Sequence, residues 1–364
     1  MHKRIIPYAC FPLLANLLIL PVLLSCEPDW ASDDWTASPT PRSQQEAGGS
    51  YPIYEKDRDN PQDSEPSGTV SNPHTVPVYS IDELTYTGVK RYATGIPVNQ
   101  SAACYGDYLV IVTKSRAQIH LYNLKSQELL ATLEMEAGSG YDSMGSDLYH
   151  SNQSSFGTEF YDRNDPFPLL YISQHARQDK RCFVEVFRLI LQREADSRDY
   201  IALEAECVQT IYFPPMSKDN ALGNVNCVIA SDSTMVTYSR NNTKTDENYG
   251  ICRISCFAVP PVGEPEVYLE DTDILYSYPI EAPATNMQGG CIWNGGLIIG
   301  QGYKNAGYIY LNIIDLEKRE LIERHDLLAD GISWEPEGCF VYNRTVMLTA
   351  GTSLWKCLFE VRKP

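Results

Sequence analysis

Two acids stand one residue apart in the stretch Trp334-Glu335-Pro336-Glu337-Gly338-Cys339. In one extended strand, Glu335 and Glu337 share a face with their Cα atoms about 7 Å apart. A carboxylate pair can do acid–base work on a glycosidic bond when the separation suits it. Amides recur at related positions: Gln100, Asn226 and Gln288, with Asn224 two residues before Asn226. The segment Tyr149-His150-Ser151-Asn152 adds an imidazole, His150, and a further amide, Asn152. Amides and carboxylates together bind sugar hydroxyls, or hold a hard cation such as calcium through oxygen ligands. The same groups can also bond one another, or water, simply to line a solvated channel. Three readings are therefore open. One is ligand binding through Gln100, His150, Asn152, Asn224, Asn226, Gln288, Glu335 and Glu337. Another is a carbohydrate-active hydrolase or lyase using Glu337, Glu335 and His150. The third is a channel lining with no chemistry.

These residues matter together only if the fold converges them. Each of four opens a short run of small and apolar residues that ends in a turn residue six places on: Gln100 to Gly106, Asn226 to Asp232, Gln288 to Asn294, and Glu337 to Asn343. A second apolar run follows each turn, as in Tyr108-Leu109-Val110-Ile111-Val112 and Val346-Met347-Leu348. Four hairpins in one register predict the blades of a β-propeller, in which small sheets repeat around an axis. The blades fall at about 100–136, 152–214, 224–280, 288–327 and 337–361. The last holds only three strands, which leaves an unpaired edge. The run Leu84-Thr85-Tyr86-Thr87-Gly88-Val89-Lys90-Arg91-Tyr92 is expected to fill that edge and join the two ends of the ring. The fold class is all-β with five blades. Six is the alternative, with an extra blade in 137–160 or 200–222. A β-sandwich would be the competing architecture. In a propeller, equivalent strand starts bring Gln100, Asn226, Gln288 and Glu337 to one mouth of the central channel.

Composition agrees with many short strands. The chain has 364 residues, 43% of them hydrophobic, with 24 Tyr and 23 each of Gly and Pro. The formal net charge of -18 makes nucleic acid a poor partner, because phosphate contacts need a Lys/Arg surface. There are eleven cysteines, and nine remain beyond Cys10 and Cys26. Cys104, Cys227, Cys291 and Cys339 fall on the four recurring strands. The odd count of nine and its unpaired spacing argue against a full disulfide framework and for small buried hydrophobes. No nucleophile elbow, phosphate loop, His-Glu-x-x-His or calcium loop is present, so no cofactor is implied beyond the calcium considered above.

Residues 1–26 read as a targeting segment. Lys3 and Arg4 precede a mostly apolar stretch that ends in Leu23-Leu24-Ser25-Cys26. That ending resembles the lipobox of bacterial lipoproteins, which implies cleavage before Cys26 and acylation of it. Residues 27–75 read as an acidic disordered tether. Positions 27–66 carry ten acids against three bases, with no apolar period to offset the ordering entropy. A single globular domain is expected over 76–364. Two further stretches carry a family likeness. One is Gln288-Gly289-Gly290 with Gly302, Asp315-Leu316 and Glu335-Pro336-Glu337-Gly338. The other is His150-Ser151-Asn152 leading to Phe167-Pro168-Leu169-Leu170-Tyr171-Ile172-Ser173. Across 100–361 the chain resembles TolB-like β-propeller lipoproteins of Bacteroidetes-type bacteria. The resemblance implies an outer membrane lipoprotein facing the periplasm or the cell surface. It would be anchored in the membrane through Cys26 and would bind a glycan, a peptide or an envelope protein. The acids after Cys26 resemble the surface-export signal of such lipoproteins.

Overall fold

The computed structural model describes residues 79–97, 99–113, 118–135, 151–178, 181–193, 200–241, 249–283, 286–303 and 307–363. The segment 1–26 with Cys26, the tether 27–75, and His150 lie outside the described residues.

The first strand of the described residues belongs to the end of the ring. Strand β1 (Leu84–Thr94) is followed by a first meander of β2 (Ser101–Tyr105), β3 (Tyr108–Val112), β4 (Gln118–Asn123) and β5 (Glu128–Glu134). The second meander is β6 (Ser151–Phe156), β7 (Leu170–Gln178), β8 (Arg181–Arg193) and β9 (Tyr200–Tyr212). The third is β10 (Gly223–Ile229), β11 (Thr234–Arg240), β12 (Ile251–Ala258) and β14 (Ile274–Pro283), with the short β13 (Glu266–Tyr268) between the last two. The fourth is β15 (Met287–Trp293), β16 (Gly296–Tyr303), β17 (Tyr308–Asp315) and β18 (Glu320–Asp326). The fifth is β19 (Gly338–Tyr342), β20 (Thr345–Ala350) and β21 (Ser353–Val361). Five sheets result, and β1 completes the fifth by pairing antiparallel with β21 from Leu84↔Val361 to Thr94↔Ser353. This is the expected five-bladed ring, closed by the strand read from residues 84–92. The segments considered for a sixth blade hold no separate sheet among the described residues: 151–156 is β6 and 200–212 is β9.

The apolar runs are continuous because each middle strand is covered on both faces. Five hydrophobic layers fill the ring, one between each pair of successive blades. Strand β3 divides its side chains by alternation. Val110 and Val112 pack toward Leu170, Ile172 and Phe183 of the second blade. Leu109 and Ile111 pack toward Phe340, Met347 and Leu354 of the fifth. The fifth layer therefore joins the last blade to the first, and the circle is complete without a break. Turn chemistry fits the hairpins. Asn294 (φ 51°) and Gly295 (φ 79°) adopt the left-handed backbone that a two-residue β15–β16 turn requires.

Strand β13 is a feature that the sequence reading missed. It leaves the third blade and pairs parallel with the outer edge of the second, Glu266↔Thr210 to Tyr268↔Tyr212. Gln209 Nε2 donates to the carbonyls of Pro261 and Glu264, 3.1 Å each, and pins the crossing segment. The long β9 would otherwise present an open edge there, a template for pairing with other chains. Prolines at 260, 261 and 265 disguise this segment as a plain loop.

The same edge logic applies to β1, where Arg91 also stacks its guanidinium over Trp355 at 4.6 Å. A chain lacking residues 79–94 would leave β21 unpaired along that whole register. It should elute as aggregate in size-exclusion chromatography and lose its cooperative thermal transition. A monodisperse product with an unchanged transition would show that β1 is dispensable to closure.

Candidate functional site

The five inner strands β2, β6, β10, β15 and β19 contact one another in ring order, and the circle closes from β19 to β2. Their sequences are rich in small residues, and the distances show why. A Cβ at Gly289 would sit 2.5 Å from the Glu337 carbonyl and 2.7 Å from the Gly338 Cα. One at Gly338 would sit 2.7 Å from the Ala102 Cβ. These backbones touch, and no side chain fits between them.

Gln100, Asn152, Gln288 and Glu337 sit at or just before the starts of these strands, and Asn226 sits midway along β10. Gln100, Asn152, Asn226, Gln288 and Glu337 are all buried. They turn to each other and to neighbouring backbone. Gln100 Nε2 donates to Glu337 Oε2 at 2.8 Å, joining the first and fifth blades. Asn152 Nδ2 donates to Asn226 Oδ1 at 2.8 Å, joining the second and third, and lies 3.1 Å from the Met287 carbonyl of the fourth. Gln288 Nε2 donates to the Gly302 carbonyl at 3.3 Å within its own blade.

The residue that spans the axis was not among the candidates. Gln153, on β6, is 1% exposed. Its Nε2 donates to the Gly290 carbonyl at 2.9 Å, and its Oε1 accepts the Gly290 N–H at 2.6 Å. The side-chain amide thus pairs with both main-chain groups of Gly290 on β15, although β6 and β15 are not ring neighbours. Reversing the amide would set donor against donor, so the pattern fixes its orientation. The Tyr238 hydroxyl lies 2.7 Å from the Gln288 carbonyl and 3.1 Å from Gln153 Oε1. Burial, with neighbouring thiols, pushes the Tyr238 phenol well above its ordinary range, so it stays protonated and donates here. At this level the axis is bridged by side chains. The signal in the sequence was the buried run Ser151-Asn152-Gln153-Ser154-Ser155, five polar residues where the other blades place small or apolar ones.

Two candidates are placed differently from the strand alternation assumed for them. Asn224 has φ 53° and lies in a bulge between Gly223 and Asn226, so it does not follow the alternation that would set it on the face of Asn226. Glu335 and Glu337 do not share a strand, because β19 begins only at Gly338. Bulges recur at the starts of β6, between Ser151 and Gln153, and of β15, between Met287 and Gly290. They re-aim Asn152 and Gln288, which sequence alternation alone does not foresee.

Outside the buried ring, the last inter-blade link displays Trp334. It is 53% exposed and lies against the β20–β21 turn, where a Cβ on Gly351 would meet the indole at 3.0 Å. Glu335 beside it is half-buried, and Pro336 packs against Gly300, locking the link to the fourth blade. Among the described residues, no group of three or more His, Cys, Asp or Glu side chains is arranged to hold a metal ion.

No protein-family model matches the sequence, and no curated protein matches it. Among solved structures, the chain is similar to glutaminyl cyclase from Myxococcus xanthus. The identity is 11% and the TM-score 0.43, over 77% of this chain and 97% of that one. It is similar also to the PQQ-bound aldose sugar dehydrogenase from Streptomyces coelicolor, at 11% identity and a TM-score of 0.42, over 77% and 100% of the two chains. The major allergen Mala s 1 of Malassezia sympodialis gives 8% identity and a TM-score of 0.40, over 76% and 97%. Likeness at this level carries no argument. The architecture rests on the five sheets themselves.

The close approach at the axis can be tested directly. Gly289→Ala has only backbone to push against and should cost about 1–3 kcal/mol or more in urea denaturation. Gly263→Ala, with nothing within 4 Å of its added methyl, should leave the midpoint unchanged. Equal midpoints for the two variants would contradict the packing described.

Proposed function

We propose that the protein is a lipid-anchored binding module of the cell envelope, and that it takes a glycan at the mouth side of its ring. The observation that carries this reading is the pairing of an exposed indole with a carboxylate on a braced link. Trp334 is 53% exposed and rests on the β20–β21 turn, and Glu335 follows it directly. A flat aromatic face covers the apolar face of a sugar ring, and an adjacent carboxylate accepts from its hydroxyls. A large aromatic held at the surface by a rigid scaffold is also the usual kind of binding hot spot. The polar ring weighs against catalysis by its buried carboxylate. Glu337 has its Oε2 committed to the Gln100 amide inside the ring, which favours a structural part for it over acid–base work.

The anchor rests on the sequence Leu23-Leu24-Ser25-Cys26. An outer-membrane address, facing the periplasm or the cell surface, follows from the same segment and from the acidic stretch behind it.

Two measurements test this reading. A panel of neutral and amino-sugar oligosaccharides, screened by thermal shift, should contain members that raise the melting temperature, because a ligand of the native state must do so. Trp334→Ala should weaken binding of those members by at least ~10-fold, about 1.4 kcal/mol, with little change in the melting temperature of the free protein. No shift across the panel, or equal affinity in the variant, would refute the glycan site. For the anchor, the full chain expressed in a Gram-negative host should take up labelled palmitate and partition into detergent. Cys26→Ser should abolish both. Retention of either by the variant would refute lipidation at Cys26.

A further inference from the structure

The inner strands of the fourth and fifth blades meet backbone to backbone. Gly289 lies against the Glu337 carbonyl, the Gly338 Cα and the Cys339 nitrogen, all at 2.5–2.8 Å from where its Cβ would be. The next side chains along this seam are thiols. Cys291 Sγ and Cys339 Sγ are 3.2 Å apart, both buried, on β15 and β19. We propose that Cys291 and Cys339 are a disulfide-forming pair that staples these two blades when the protein folds under oxidising conditions.

The geometry favours the step. A disulfide has its sulfurs about 2.05 Å apart, so each must advance by only about half an ångström. The glycines at 289 and 338 already bring the two backbones together. Strand β15 belongs to the fourth blade and β19 to the fifth, so the bond would join neighbouring sheets across 48 residues of chain. Cys357 shares the same apolar layer, yet it lies on β21, third from the axis in the fifth sheet. It therefore serves as the internal competitor.

The chemistry is thiol–disulfide exchange with a small-molecule disulfide as oxidant. The thiolate of one cysteine attacks that disulfide, forms a mixed disulfide and expels one small thiolate, which takes up a proton. The second cysteine's thiolate then attacks the protein sulfur and expels the other small thiolate, which is protonated in turn. Two hydrogens and two electrons leave the protein, and the oxidant ends as two thiols. Burial pushes the Cys339 thiol well above its ordinary range, so the folded protein offers little thiolate. The exchange therefore belongs to folding, before the layer closes. The inference stands independently of what the mouth side binds.

The full chain, unfolded and reduced, is refolded with oxidised and reduced glutathione, or with reductant alone. Free thiols are alkylated, and the protein is digested with trypsin without reduction. The oxidised sample should yield a peptide joining 325–344, which holds Cys339, to 254–304, with fragment ions placing the bond at Cys291. Its denaturation midpoint should exceed that of the reduced sample. Cys291→Ala and Cys339→Ala should each remove both the linked peptide and the difference in midpoint. Recovery of 325–344 wholly alkylated, or linked instead to Cys256 or Cys357, would overturn the assignment.

Discussion

Five extended backbones have to meet around one axis, and the space available there governs much else in this molecule. Where β15 passes β19, a single methyl at position 289 would overlap main-chain atoms on the neighbouring strand. The inner strands are accordingly written in Gly, Ala, Ser and Cys near the axis. Such crowding also strands peptide groups, because an inner strand pairs along only one edge within its own sheet. A buried N–H or carbonyl without a partner costs about 1–3 kcal/mol. The Gln153 amide meets that demand for Gly290, and it does so across the ring.

The consequence for function follows from where polar capacity is spent. Gln100 is bonded to Glu337, and Asn152 to Asn226, so these side chains join blade to blade. Groups committed to one another in a low-dielectric interior are poor candidates for meeting a ligand, since breaking them leaves buried partners unsatisfied. Recognition is then expected from the rim, where loops project from the rigid sheets. The link before β19 has the right construction: its proline is wedged against Gly300 while its indole faces solvent.

Much of this architecture was legible in the sequence, for a physical reason. Middle strands buried on both faces produce unbroken apolar runs, and inner strands produce small-residue runs that begin with an amide or an acid. Those two signatures locate the blades, and the three-strand remainder at the end calls for the run 84–92, which lies within β1 (Leu84–Thr94). What escaped depends on contacts with no local trace. Strand β13 hides among prolines because its partner is in another blade. The bulge at Asn224 breaks the alternation that placed it beside Asn226. The convergence of strand starts was foreseeable, but not that they would be bridged, because Gln153 and Gly290 are distant in sequence. The contact between Cys291 and Cys339 arises from the glycines beside them and from no spacing rule.

The most direct test of this account is Gln153→Met, which keeps the length and bulk of the side chain and removes its hydrogen bonds. The measurement is native-state hydrogen exchange at the Gly290 amide, alongside urea denaturation. An amide clamp across the axis predicts lost protection at Gly290 and a loss of about 1–3 kcal/mol in stability. Full protection at Gly290 with unchanged stability would show that the axis is not held shut by this residue, and the polar ring would return as the place to look for a ligand.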